Sequence, residues 1–345
     1  MSRKRIDSLQ ALRAIAAVLV VLFHMDAFMP AFMGFEFAGN WFRNGEAGVD
    51  IFFVLSGFII YYSVKGRQGM TRGRFLEARF IRLYPIYWLV LGALIVAELV
   101  GVTSGNPERL EPFTMLRSVL LLPSSEYVLN VSWTLAIEVI FYAIFALFFF
   151  LSERAFFAAM LVWCTTAVAV RMAGIDAGPS WLSGFVLYSG VAEFGFGVLI
   201  ARFTRDLAKP VAAIALVAGI GLFVASLAEY GPLAQTSREF GFGIPSALIV
   251  FGAYRLSPPT PKWLTEIGES SYVLYLVHGV VLSVLLRVVK KLGAIETLGP
   301  QASAWLVAAL TVVVAYMVHR WVERPLLGRI RVWQKARDAD AGATS

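Results

Sequence analysis

Apolar segments long enough to cross a bilayer follow one another along almost the whole chain. A transmembrane α-helix needs about 20 predominantly apolar residues, and ten segments approach or reach that length. They cover residues 9–28, 47–64, 83–102, 133–151, 156–173, 184–201, 210–228, 241–256, 271–289 and 302–321. Because a bilayer core offers no water to backbone N–H and C=O groups, such segments must satisfy them internally, as helices do. The sequence therefore predicts an all-α, polytopic transmembrane helical bundle of about ten helices.

Composition and charge agree with a membrane protein. Hydrophobic residues make up 59% of the 345 residues and charged residues 15%, against roughly 45–50% and 25% in soluble domains. The net charge of +7 is distributed between apolar segments instead of forming one stripe, which argues against nucleic-acid binding. If the N-terminus is cytoplasmic, most of the 30 Lys and Arg residues fall on that side. The positive-inside rule then predicts that both termini are cytoplasmic.

Four further features of the sequence bear on the organisation of the chain. The basic residues 3–5 precede an apolar run that reaches Phe28 without a small-x-small cleavage site, which predicts an uncleaved first helix. The stretch 113–122 is too short to span a bilayer and is expected to be re-entrant or interfacial. Residues 333–345 are polar and are expected to be disordered. The single cysteine, Cys164, excludes a disulfide within the chain.

The first apolar segment contains two costly polar side chains, Arg13 and His24. A charge at membrane depth costs about 2.5–3.5 kcal/mol or more, so each such residue is a candidate for function. Eleven residues of helix return to within roughly 20° of the same direction and rise about 16 Å. Both side chains can therefore line one cavity, with Arg13 nearer the cytoplasm. The alternative is that Arg13 reaches the headgroups and His24 hydrogen-bonds a neighbouring helix.

Depth in the membrane predicts a partner for His24. Glu138 lies five residues after Trp133, where the fourth segment begins on the outer side, and His24 lies four residues before the end of the first segment. The two groups are expected at similar depth, which favours an imidazole–carboxylate pair with His24 as a general base. Asp50, at the start of the second segment, is the other candidate partner.

The cytoplasmic side carries a different chemistry. Arg79 and Arg82 are three residues apart and project from one face if the region is helical. Two guanidinium groups there can hold phosphates by bidentate contacts, although an anchor obeying the positive-inside rule is the commoner explanation. His278 lies near mid-membrane in the ninth segment, where an interhelical hydrogen bond is the alternative to a functional role. P-loop, GxSxG, HExxH and CxxC motifs are missing from the sequence, so no metal site is predicted.

Seven short motifs, in order along the chain, resemble the membrane acyltransferase type-3 family. They span nearly the whole sequence and are LQALRAIAAVLVVLFH at 9–24, GVDIFFVLSGFI at 48–59, RFIRLYPIYW at 79–88, VSWTLAIEVIFY at 131–142, EFGFG at 193–197, GESSYVLYLVH at 268–278 and ERP at 323–325. Each motif alone is weak, but seven in the family's order are specific. The resemblance implies one acyltransferase type-3 transmembrane domain at 1–330 and a polar cytoplasmic tail at 331–345.

The same resemblance implies a reaction and its partners. Family members transfer an acyl group, usually acetyl, from cytoplasmic acyl-CoA to a hydroxyl of a cell-envelope glycan at the bacterial inner membrane. The wording of the first two motifs is similar to the exopolysaccharide-modifying branch, so an exopolysaccharide or its lipid-linked precursor is the expected acceptor. No permanently bound cofactor is expected; acyl-CoA is a donor substrate, and polysaccharide-biosynthesis machinery is a candidate partner. The predicted site residues are His24, Glu138 and Asp50 for catalysis, and Arg13, Arg79, Arg82 and His278 for donor binding.

Other classes of function remain open at this point. A polytopic transporter also places Arg, His and Glu in the membrane, and it would be supported by inverted repeats with broken helices. A non-catalytic component of a polysaccharide export machine would tolerate the loss of His24 and Glu138. A membrane glycosyltransferase would need an aspartate-centred metal site. Within the acyltransferase hypothesis, His24 either activates the acceptor hydroxyl or carries the acyl group covalently.

Overall fold

The computed structural model describes residues 6–65, 67, 69–100, 110–175, 178, 182–229 and 238–343. Within these ranges the chain is helical and contains no β-strand. The helices are α1 Asp7–Met33, α2 Gly48–Lys65, α3 Arg72–Leu99, α4 Pro112–Leu120, α5 Ser132–Phe148, α6 Glu153–Met172, α7 Val191–Phe203, α8 Lys209–Leu227, α9 Ile244–Leu256, α10 Lys262–Lys291, α11 Ala294–Leu298, α12 Pro300–Val318 and α13 Arg324–Ala343. Residues 3–5, 101–102 and 344–345 of the predicted segments and tail lie outside the described ranges.

The predicted all-α polytopic bundle is confirmed, and each of the ten apolar segments falls on a helix. Eight helical stretches in the described ranges are long and apolar enough to cross a membrane. The other two segments form shorter helices, because α5 has 17 residues and α9 has 13. A π-helical turn, Glu239–Gly243, extends α9 at its beginning. The short apolar stretch at 113–122 forms the nine-residue helix α4.

Contacts between helix ends show that both ends of the described chain lie at one end of the bundle. The Ser8 hydroxyl, at the beginning of α1, donates to the Ala253 carbonyl near the end of α9 at 2.8 Å. Arg324, which begins α13, lies 3.9 Å from Glu269 near the beginning of α10. We call this end the terminal end and the opposite one the distal end, where Lys290 donates to the Phe32 carbonyl at 3.1 Å. The cytoplasmic location of the terminal end remains a prediction from the loop charges.

Glycines allow the closest helix contacts. A Cβ atom at Gly57 of α2 would lie 2.1 Å from the Phe194 carbonyl oxygen of α7, and one at Gly197 would lie 2.0 Å from the Val54 carbonyl oxygen. Small residues let helix backbones approach in this way, which is how helices pack where lipid removes the hydrophobic drive. The ring of Phe194 stacks on Phe141 of α5, with ring centroids 4.5 Å apart. Helices α2, α5 and α7 therefore form one tightly packed wall.

The prediction of a disordered C-terminal tail is wrong for the residues that the structure describes. Helix α13 runs from Arg324 to Ala343, so the predicted boundary at residues 330/331 falls inside a helix. Leu327 is buried, and the Arg337 guanidinium lies 2.8 Å from the Glu77 carboxylate of α3. The composition of the tail gives no sign of this helix, because its packing depends on a tertiary contact with α3.

Substitution of Gly57 by alanine should destabilise the protein. The added methyl group would meet the Phe194 carbonyl oxygen, so the two helices must separate, at a cost of roughly 1–3 kcal/mol. Thermal unfolding in detergent, followed by size-exclusion chromatography of the remaining monodisperse protein, measures the change. Gly92→Ala on α3 is the control, since no heavy atom outside its own helix lies within 4 Å of the new Cβ. Equal midpoints for the two variants would contradict the close α2–α7 contact.

Candidate functional site

A cavity of about 520 Å³ extends from the terminal end into the bundle, bounded by α1, α2, α3, α5, α10 and α13. Its walls combine apolar residues of α2 with an unusual number of charged side chains. The charged residues on its walls are Arg13, Arg67, Arg79, Arg82, Glu138 and Arg331. Five arginines therefore face one carboxylate, and the cavity favours anionic ligands.

Helix α10 positions the deepest of these arginines. The Arg13 guanidinium donates from both Nε and Nη2 to the Ser271 hydroxyl oxygen, at 3.1 and 3.0 Å. A hydroxyl accepts these bonds without neutralising the charge, so Arg13 keeps its full positive charge on the cavity wall. The alternative that Arg13 reaches the headgroups is excluded by this contact with a buried serine.

The two arginines of α3 that line the cavity, Arg79 and Arg82, are held differently. Arg82 lies 3.2 Å from the buried carboxylate of Glu323 and 5.1 Å from the centre of the Tyr272 ring. Arg79 lies over the Phe75 ring, at 5.7 Å from its centre. Its Nε is buried and has no hydrogen-bond partner among the described residues. Arg79 is thus the arginine with the most unused hydrogen-bonding capacity in the buried part of the cavity.

Glu138 also faces this cavity, and the prediction that it pairs with His24 is wrong. Its carboxylate oxygen Oε1 accepts from the Tyr142 hydroxyl at 2.6 Å and from the Ser56 hydroxyl at 3.1 Å. The predicted pair rests on the similar depth of the two residues along the membrane. Depth does not determine the direction in which a helix turns a side chain, and α5 turns Glu138 towards α2 and the cavity.

Asp50 does not pair with His24 either. Its two carboxylate oxygens accept from Nε and Nη2 of Arg238, at 2.9 and 2.7 Å, in a bidentate pair. The remaining nitrogen, Nη1, donates to Glu46 at 2.6 Å. Asp50 is fully buried, and Arg238 compensates its charge. Sequence patterns do not predict this pair, because 188 residues separate the two side chains.

The observed partner of His24 is His278. Nδ1 of His24 lies 3.2 Å from Nε2 of His278, and the ring centroids are 4.6 Å apart. This confirms the interhelical hydrogen bond that the sequence left open as an alternative for both histidines. It also separates His278 from the arginines with which the sequence grouped it. The sequence does contain one signal for this pair. Both histidines lie in apolar helices, and a buried imidazole needs a hydrogen-bond partner.

The backbone determines which ring nitrogens carry protons in the neutral histidines. Nδ1 of His278 lies 2.8 Å from the Tyr275 carbonyl oxygen, and Nδ1 of His24 lies 2.9 Å from the Val20 carbonyl oxygen. A carbonyl oxygen only accepts, so these partners assign the proton to Nδ1 in each ring. The one Nδ1–H of His24 is then shared by two acceptors, the Val20 carbonyl oxygen and Nε2 of His278. Nε2 of His24 is left with a free lone pair, as a general base or nucleophile requires.

One layer of side chains separates the cavity from this pair. Thr134 of α5 and Tyr275 of α10 both line the cavity, and their hydroxyl oxygens are 2.7 Å apart. The Tyr275 ring also contacts His278, with ring centroids 5.9 Å apart. Neither His24 nor His278 is among the described residues that line the cavity, so the prediction that Arg13 and His24 line one cavity is wrong for His24. The Thr134–Tyr275 contact therefore closes the inner end of the cavity next to the histidine pair.

Replacement of Arg238 by alanine should lower the stability of the protein strongly. The change leaves Asp50 as a buried charge without its partner, which costs roughly 3–5 kcal/mol. The thermal midpoint in detergent measures this loss. Arg43→Ala is the control, because Arg43 pairs with Glu229 where both side chains are exposed, and such pairs contribute little. A midpoint for Arg238→Ala equal to that of the control would show that Asp50 does not depend on Arg238.

Comparison with known proteins places the chain beside acyltransferases. A family model described as "Acyltransferase domain" matches residues 6–320. The chain is 30% identical to the exopolysaccharide production protein ExoZ of Rhizobium meliloti over 316 residues, which cover 86% of this chain and 94% of ExoZ. It is 25% identical to the acyltransferase MdmB of Streptomyces mycarofaciens, over 95% of this chain and 94% of MdmB.

A shorter match relates the chain to a third protein. The peptidoglycan O-acetyltransferase OatA of Listeria monocytogenes is 30% identical over 99 residues, which are 28% of this chain and 14% of OatA. No solved structure matches the chain. The family match includes both histidines and four of the five cavity arginines, and it ends before Arg331.

Proposed function

This chain belongs to the acyltransferase family that matches residues 6–320, and on that basis we propose that it transfers an acyl group, acetyl in the first instance, from acyl-CoA to a hydroxyl of a cell-envelope glycan. The acceptor class is supported by the names of two relatives, an exopolysaccharide production protein and a peptidoglycan O-acetyltransferase. An exopolysaccharide or its lipid-linked precursor is the proposed acceptor, since ExoZ is similar over nearly its whole length.

The observation that carries the proposal is an arginine-lined cavity whose inner end, at Thr134 and Tyr275, lies one layer of side chains from the His24–His278 pair. Acyl-CoA is a matching ligand, because it joins an anionic nucleotide to a long, uncharged pantetheine arm. Arg79 and Arg82 offer guanidinium groups that bind phosphate oxygens in a fork geometry. The pantetheine arm would follow the cavity past Arg13 and bring the thioester to Thr134 and Tyr275.

In the proposed reaction, Nε2 of His24 removes the proton of the acceptor hydroxyl while the hydroxyl oxygen attacks the thioester carbonyl. The carbon–sulfur bond breaks, and the CoA thiolate takes the proton from His24, so that the products are the glycan ester and free CoA. A covalent route, in which Nε2 first takes the acyl group and then passes it to the hydroxyl, uses the same nitrogen. His278 acts through His24 in both routes. It accepts a hydrogen bond from the Nδ1–H of His24, which keeps the proton on Nδ1 and leaves Nε2 of His24 unprotonated.

The proposal assigns the two ends of the bundle to different substrates. If the terminal end is cytoplasmic, as the loop charges predict, acyl-CoA reaches the cavity from the compartment in which it is made. The acceptor glycan would approach His24 from the distal end, where the ring of Phe28 contacts the histidine. The proposed location is accordingly the bacterial inner membrane, with the glycan on its outer side.

Replacement of His24 by alanine should abolish acylation of the glycan while the protein still inserts. Cells that lack the gene are complemented with each variant, and the acyl content of the glycan is measured by mass spectrometry beside immunoblots of the membrane fraction. Ile15→Ala is the control, since Ile15 lies on the same helix and is 44% exposed at its outer surface. A transporter or a non-catalytic assembly protein would retain glycan acylation in the His24 variant, and that result would overturn the proposed function.

Replacement of His278 by alanine should lower kcat by about 100-fold and leave the KM for acetyl-CoA nearly unchanged. The reason is that His278 orients a base, which typically contributes about 10²–10⁴-fold, whereas donor contacts lie on the arginine walls. Initial rates in membrane vesicles, at varied acetyl-CoA concentration, separate the two constants. His278→Gln should recover part of kcat, since its amide oxygen can accept from His24. A rise in the KM for acetyl-CoA with unchanged kcat would contradict this role and would indicate that His278 binds the donor.

A further inference from the structure

The C-terminal helix α13 forms part of the wall of the cavity at its mouth. Leu327, Arg331 and Gln334 line the cavity, and their spacing of four and three residues places them on one face of the helix. The helix is fixed at both ends of this face. Glu323, directly before it, pairs with Arg82 at 3.2 Å, and Arg337 pairs with Glu77 of α3 at 2.8 Å. Arg331 is thus held over the cavity by contacts on either side.

The charge of Arg331 has no acidic counterpart among the side chains that the structure describes. Across the ranges that the structure describes, no carboxylate lies within ion-pair distance of Arg331 or of Arg67, the other arginine at the mouth. The neighbouring Arg337 and Arg324 do have acidic partners, Glu77 and Glu269. An arginine that is positioned on both sides but left unpaired presents its guanidinium fork to an anion from outside the protein.

The order of groups along the cavity indicates which anion this is. The thioester of the donor has to lie deepest, beside Tyr275, so the pantetheine arm occupies the inner part and the diphosphate follows at Arg79 and Arg82. The ribose is then left at the mouth, with its 3′-phosphate. We propose that Arg331 binds the ribose 3′-phosphate of acyl-CoA, which makes the C-terminal helix a specificity-determining part of the donor site. The inference rests on the proposed function, since it presumes acyl-CoA as the donor.

Binding of CoA and of 3′-dephospho-CoA to the purified full-length protein in detergent tests this inference. The wild-type protein should bind CoA about tenfold more tightly than 3′-dephospho-CoA, because 3′-dephospho-CoA lacks the phosphate that would form a hydrogen-bonded charge pair with Arg331. Arg331→Gln should bind CoA about as weakly as the wild-type protein binds 3′-dephospho-CoA, and should lose the preference between the two. The affinity for 3′-dephospho-CoA itself should stay unchanged in this variant.

Arg329→Gln is the matched control. Arg329 lies two residues away on the same helix, is exposed and does not line the cavity. Its substitution therefore removes the same charge from the opposite face of α13. This variant should keep the wild-type preference for CoA. If Arg331→Gln keeps the preference as well, or if the wild-type protein shows none, the role of Arg331 is overturned while acyl-CoA remains the donor. If the wild-type protein binds neither compound, the proposed donor itself is wrong.

Discussion

The contact between α1 and α10 is the interaction on which the candidate site depends. At Gly268 a Cβ atom would lie 2.0 Å from the Gln10 carbonyl oxygen, so the two backbones touch at the terminal end. No other residue type permits this approach without moving one of the helices. From that point the two helices run in the same direction, and their polar residues meet at two further levels, Arg13 with Ser271 and His24 with His278. A shift of either helix would separate both pairs at once.

The electrostatics of the bundle follow from how each buried charge is compensated. Asp50 and Arg238 form a bidentate ion pair, and Arg238 also binds Glu46, which suits a structural role near the distal end. The cavity is different, because Arg13 is held by a hydroxyl and Arg79 by an aromatic ring. Neither contact removes charge, so repulsion among the arginines lowers the stability of the protein on its own. The same repulsion favours binding of a multivalent anion, because the charges of the anion compensate those arginines that have no carboxylate partner.

The sequence predicts the fold well, because burial of apolar segments in a bilayer is recognisable from their length and composition. Long apolar segments in a bilayer must be helical, and all ten segments are. The common face of Arg13 and His24 follows from helical period alone. The partner of His24 could not be derived in this way, because Glu138 and His24 have suitable depths but their helices are rotated differently. The rotation is determined by packing contacts such as Gly57 with Phe194, which no periodicity reveals.

The C-terminal helix shows a second limit of sequence reasoning. Its polar composition is typical of a disordered tail, yet Arg337 joins it to Glu77 and Leu327 is buried. Sequence patterns report local preference, while this helix is stabilised by residues about 260 positions away. Its cavity-lining face is therefore visible only in three dimensions.

The position of Tyr275 links the two halves of the site. Its hydroxyl contacts Thr134 at the inner end of the cavity, and its carbonyl oxygen accepts a hydrogen bond from the Nδ1–H of His278. One residue thus closes the cavity together with Thr134 and also contacts the histidine that hydrogen-bonds His24.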